Sequence, residues 1–149
     1  MNKPYPFALA LLLLAGCSPA AEAPSVEVKQ AWLRLPAAPG GAAAGYFVAE
    51  ARHADDALVA ASLPGARIEM HESMTMNHMA SMRPIDAAAF DGRKLTFEPG
   101  GKHLMVFGLG ADAKPGGTLP ITLRFKTAPA VTVQAKLVAA GQPAPGDDG

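Results

Sequence analysis

The chain has 149 residues, enough for one domain with a sizeable core and too few for two ordinary ones. Lysine plus arginine equals aspartate plus glutamate at 13 each, so no overall field draws the protein to nucleic acid or to an anionic membrane surface. Charged residues make up only 17% of the chain, and 15 glycines and 14 prolines punctuate it, which favours short strands and turns over long helices.

Residues 1–16 carry one lysine near the start and an apolar run from Phe7 to Ala15, too short to span a bilayer, and read as a secretion signal. Leu14-Ala15-Gly16-Cys17 resembles the bacterial lipobox, in which the cysteine is acylated on sulfur and becomes the first residue of the mature protein. Cys17 is the only cysteine, so no internal disulfide can form and no thiolate in the folded domain can act as nucleophile or ligand. Residues 17–25, small and proline-rich, are expected to be a lipid-anchored tether. Ser18 after the cysteine implies outer-membrane sorting if the host is Gram-negative, and in any host an extracytoplasmic, periplasmic-type location.

The folded domain is expected over residues 26–140. Val26 to Lys29 alternates, and Trp32, Leu33 and Leu35 extend the pattern to a turn at Pro36–Gly41. Gly45 to Val48 and Ala57 to Leu63 read as strands. Ala66 to His71 alternates cleanly, with Arg67, Glu69 and His71 on one face and Ile68 and Met70 facing the core. His71 to Met82, HESMTMNHMASM, then collects four of the seven methionines and two of the four histidines. Met74, Met76 and Met79 have polar neighbours that make poor company for a core, so they are expected in a mobile loop, with His78 as a solvated loop histidine and His53 as a surface turn residue. Apart from a short turn around Asp86–Phe90, no segment keeps a helical period. Lys94 to Phe97, a Pro99-Gly100-Gly101 turn and His103 to Phe107 suit a hairpin, and Leu119–Phe125 and Val131–Leu137 complete a series of about eight short strands. That spacing predicts an all-β sandwich or barrel. Residues 141–149 read as a disordered tail.

Side chains two apart on a strand point the same way, so His103 and Met105 share a face that Leu104 does not. If the strand ending in His71 is a neighbour, two imidazoles and at least one thioether meet, and the methionine-rich segment can supply a fourth donor. Uncharged nitrogen and thioether donors select a soft monovalent ion, Cu(I), over Zn(II), Mg(II) or Ca(II), and the lack of a cysteine ligand argues against a blue-copper electron carrier.

At these residues the sequence resembles the periplasmic copper chaperone family PCuAC, whose motif is His, ten residues, Met, twenty-one residues, His-x-Met. Here ten residues separate His71 from Met82, and His103-Leu104-Met105 supplies the final His-x-Met after an interval of twenty, one residue shorter than the motif. Ala31–Arg34, Ala44–Phe47, Met82–Pro84, Pro99–Met105 and Ile121–Phe125 are similar to the family as well, so the resemblance spans residues 26–138. It implies a cupredoxin-like β-sandwich, one Cu(I) held by His71, Met82, His103 and Met105, and no enzymatic turnover. It also implies partners that donate and accept copper, such as cytochrome c oxidase subunit II during assembly of its CuA centre, or another assembly chaperone. Met74, Met76, His78 and Met79 are then at most auxiliary contacts; Trp32 and Arg34 at most border the site, and a buried aromatic and a solvated charge explain them adequately. The competing readings are a copper redox or electron-transfer protein and a metal-free structural lipoprotein module whose methionines scavenge oxidants.

Overall fold

The computed structural model describes residues 23, 25–52 and 55–146, so the signal, Cys17, most of the tether and His53 lie outside the described residues. The chain forms β1 (Val26–Arg34), β2 (Ala43–Ala51), β3 (Ala57–Ser62), β4 (Arg67–Met76), β5 (Met79–Pro84), β6 (Ala88–Ala89), β7 (Lys94–Phe97), β8 (Lys102–Phe107), β9 (Thr118–Phe125) and β10 (Val131–Val138). Among the described residues there is no helix.

Period-two patterning explains most of these strands. On β10, Ala135 and Leu137 are buried while Thr132, Gln134 and Lys136 between and beside them are exposed. The strands pair in the order β5-β4-β8-β2-β1-β10-β9-β3-β6, with β7 joined to β2. Every pairing is antiparallel except β1 with β10. Met70, Leu104 and Val106 from one end of this path and Leu58, Leu123 and Phe125 from the other belong to a single core cluster, so the two halves bury one another as in a sandwich.

Two local devices shape the sandwich. In β1, Gln30 has a positive φ of 52° and the register with β2 shifts between Lys29 and Trp32, which is a β-bulge. Beyond it, Leu33 joins the core and Trp32 and Arg34 take the outer face. Asp56, 7% exposed, accepts hydrogen bonds from the amides of Ala57 (2.8 Å), Thr127 (2.9 Å) and Ala128 (2.9 Å), tying the start of β3 to the turn between β9 and β10. Burial pushes its carboxyl upward, but the backbone N–H groups of Ala128, Ala57, Thr127 and Lys126 outweigh that and hold it below the usual carboxylate range.

The all-β expectation holds, with ten strands in place of about eight. One extra strand is β6, which pairs with β3 where a short turn was expected. The other is β5, and it corrects the reading of the methionine-rich segment as a mobile loop. Residues 71–84 form a ribbon in which His71 opposes Pro84, Ser73 opposes Met82 and Met76 opposes Met79. Its two-residue turn is Asn77-His78, both at positive φ (51° and 63°), the geometry whose twist matches paired strands. The segment from Gly141, expected to lack order, is fastened at its start: the Gln142 carbonyl accepts a hydrogen bond from the Arg34 guanidinium at 3.1 Å.

Candidate metal centre

His71 on β4 and His103 on β8 are directly opposed residues, and their ring centroids lie 6.0 Å apart. The register follows from alternation. Met70 opposite Leu104 and Ile68 opposite Val106 turn inward, so Arg67, Glu69 and His71 share the outer face with Phe107, Met105 and His103. Met105 sits one step along that face, opposite Glu69 on one side and Ala44 on the other.

Each imidazole has one nitrogen engaged by an acceptor. His103 Nδ1 lies 3.0 Å from the Gly101 carbonyl, which accepts its proton and leaves Nε2 with a free lone pair. That Nε2 faces the Met82 Sδ at 3.0 Å. Neither atom then carries a hydrogen, and a shared soft cation would turn this meeting of lone pairs into an attraction. His71 donates from Nε2 to Glu69 Oε2 at 3.0 Å, so its Nδ1 carries the lone pair; that atom is buried and has no hydrogen-bond partner. An unpartnered buried imidazole nitrogen is costly, and a metal ion is one of the few ligands that would satisfy it. Glu69 is itself paired with Arg67, so it orients His71 without leaving a lone charge beside the donors.

The imidazoles, although on the face turned away from the core, are largely covered. His103 is 7% exposed and the His71 side chain 13%. Met82 is the open member at 52%, on the edge strand β5, every residue of which is exposed. The geometry thus brings His71, Met82 and His103 together and puts Met105 on the same face; His78 lies at the ribbon turn, away from them. Sequence reasoning missed Glu69 and the Gly101 carbonyl as partners of the two rings. Glu69 was legible, being two residues from His71 on the same face, whereas a backbone acceptor leaves no mark in the sequence.

The rim of the face is aromatic. Trp32 packs against Tyr46 with ring centroids 4.5 Å apart and planes tilted by 39°, and the Arg34 guanidinium lies 5.0 Å from the Trp32 ring centre. Burial holds the Tyr46 phenol above its ordinary range, with Arg34 opposing part of the effect. Across the ribbon on the opposite face, hydrogen bonds from Arg83 and Lys102 keep the Glu72 carboxyl below the usual range. Among the described residues no three His, Cys, Asp or Glu side chains converge, so the donor set here depends on thioethers. That chemistry suits a soft ion and serves Zn(II) or Mg(II) poorly.

Residues 26–137 match the model of the LpqE-like family. The chain is 30% identical over 128 residues to Lxx21020, a lipoprotein by name, from Leifsonia xyli subsp. xyli (strain CTCB07), an alignment covering 77% of this chain and 76% of that one. Among solved structures, the copper-bound PCuAC domain from PmoF2 is similar with a TM-score of 0.62 at 23% identity, over 76% of this chain and 92% of that one. The solution structure of apo-DR1885 from Deinococcus radiodurans is similar with a TM-score of 0.56 at 25% identity, over 93% and 97% of the two chains. The fold is that of PCuAC domains.

Proposed function

This chain belongs to the LpqE-like family, and from that premise we propose that it is an extracytoplasmic copper chaperone, anchored by lipid at Cys17, that carries one Cu(I) and performs no catalysis. The cargo is held by His71 Nδ1, His103 Nε2, Met82 Sδ and Met105 Sδ. The observation that carries the reading is the opposed pair of imidazoles, each with one nitrogen engaged and the other free, with the Met82 sulfur 3.0 Å from one of the free nitrogens. The similarity of the fold to a PCuAC domain solved with copper bound supports it.

Transfer proceeds by associative ligand exchange. Met82, a neutral donor on an exposed edge strand, is the ligand an incoming thiolate, thioether or imidazole of the acceptor displaces first. The covered imidazoles let go last, so the ion is never released to water. The acceptor is a copper protein under assembly, such as the CuA subunit of cytochrome c oxidase, or a second chaperone.

Anaerobic titration against a chromophoric Cu(I) chelator tests the reading. One tightly held ion is expected, with affinity lost in His103→Ala and Met105→Ala. Unchanged affinity in both variants would falsify the site. The anchor is tested separately, by moving Cys17→Ser protein from the membrane to the soluble fraction; retention on the membrane contradicts it.

A further inference from the structure

The exposed large apolar side chains among the described residues are Met76, Met79 and Met82, all on the β4–β5 ribbon. Only Met82 belongs to the face described above. In an antiparallel pair, opposed residues share a face, and that face alternates along the strands. Ser73 with Met82 therefore lies on the histidine side, while Glu72 with Arg83, Met74 with Ser81, and Met76 with Met79 lie on the other. Met76 and Met79 are 62% and 74% exposed.

These methionines are not an extension of the core. Between them and the core residues Met70 and Leu104 lies a row of charge, in which Glu72 is bonded to Arg83 at 2.8 Å on β5 and paired with Lys102 at 3.4 Å on β8. Beyond that row the ribbon projects past its neighbour β8, whose pairing with β4 ends at Glu72 and Lys102. Among the described residues, the sandwich leaves Met76 and Met79 uncovered.

Directly opposed residues have Cβ atoms roughly 4.5–5.5 Å apart, and diagonal neighbours roughly 7–8 Å apart. Met76 and Met79 stand in the first relation and Met74 and Met79 in the second. Three long, flexible thioethers rooted this closely can converge on one ion above the ribbon. Thioethers are weak acceptors without charge or proton, so the ion that rewards their convergence is soft and monovalent.

We propose that Met74, Met76 and Met79 form a second, all-thioether site for Cu(I) or Ag(I), likewise a monovalent d10 ion, on the opposite face of the same ribbon from the histidine site. The second site is independent of the first: it shares no donor with it and stands whether or not the histidines hold copper. Being without nitrogen donors, it is the weaker of the two.

The test is titration of the full chain with Ag(I), followed through the Met ε-methyl resonances. After the first equivalent has moved the Met82 and Met105 methyls, the second is expected to move those of Met74, Met76 and Met79. Replacing these three by leucine, a volume-conserving change at exposed or half-buried positions, should lower the stoichiometry from two ions to one and leave the first event intact. If the first equivalent moves the Met74, Met76 and Met79 methyls while those of Met82 and Met105 stay still, the histidine site fails and the second site survives. The proposal is overturned if those three methyls do not shift with several equivalents, or if the triple leucine variant still takes up the second ion.

Discussion

Glu69 Oε2 holds the Nε2 of His71 at 3.0 Å, and this bond leaves the buried Nδ1 of His71 as the atom free to bind. A carboxylate that fixes the tautomer and orientation of a ligating histidine is worth roughly 10- to 100-fold in metal affinity. Glu69→Ala is therefore expected to weaken Cu(I) binding by about that factor in chelator competition. Its folding stability should change by no more than about 1 kcal/mol, since the Arg67–Glu69 ion pair lost with it is solvent-exposed and contributes little.

Gly45 lies in β2 opposite Leu104, the residue between His103 and Met105. A Cβ there would meet Leu33 Cδ2 at 2.8 Å and Leu104 Cβ at 3.0 Å. The leucine methyl can swing aside; the Leu104 Cβ moves only with its backbone. Gly45→Ala should cost roughly 1–3 kcal/mol in urea unfolding and also lower copper affinity by shifting β8. Full stability together with full affinity would show that the contact relaxes without reaching the site.

His78 occupies the second position of the ribbon turn at φ 63°, where any residue with a side chain is strained and achiral glycine is not. His78→Gly is expected to leave the tight Cu(I) affinity unchanged, because that ring is not a ligand. Relief of strain, offset by the backbone entropy of glycine, should make the variant as stable as the parent or up to about 1 kcal/mol more stable. Slower amide exchange between Ser73 and Met82 is the matching local readout, and a loss of copper would make His78 a ligand after all.

Asp56 has its carboxyl pKa depressed in the fold by backbone amides that outweigh its burial. A depressed carboxyl stabilises the native state above its unfolded value, about 3.9, and that contribution disappears as pH falls through the lower folded value. Asp56→Asn, which removes the charge from three close hydrogen bonds, should cost about 2 kcal/mol at neutral pH. The difference between parent and variant should shrink as the pH is taken below about 4. Denaturation curves at pH 7 and pH 3 with the same gap would contradict the assignment.

Alternation alone carried much of the architecture. It put His103 and Met105 on one face of their strand, Arg67, Glu69 and His71 together on one face of theirs, and Met70 in the core; the register between β4 and β8 reproduces each of these and joins the first two into a single outer face. The ribbon was illegible for a specific reason: its turn is Asn77-His78, and the glycine that marks such turns in sequence is missing, so a β-hairpin read as a loop. The cover over the imidazoles was hidden too, because Met82 reaches His103 through a strand pairing that this turn creates. Asp56 gave no sign of its role, since its partners at Thr127 and Ala128 are remote in the chain and are backbone groups.

Strands β2 and β4 both run antiparallel to β8, so they point the same way, and β1 starts opposite the last residue of β2. The ribbon tip and the point where the chain enters the sandwich are consequently at one end of the molecule. For a protein tethered as proposed, the nine residues from Cys17 to Ser25 reach at most about 30 Å. The cargo would then hang on the bilayer side, facing acceptors embedded in the membrane more readily than those diffusing past.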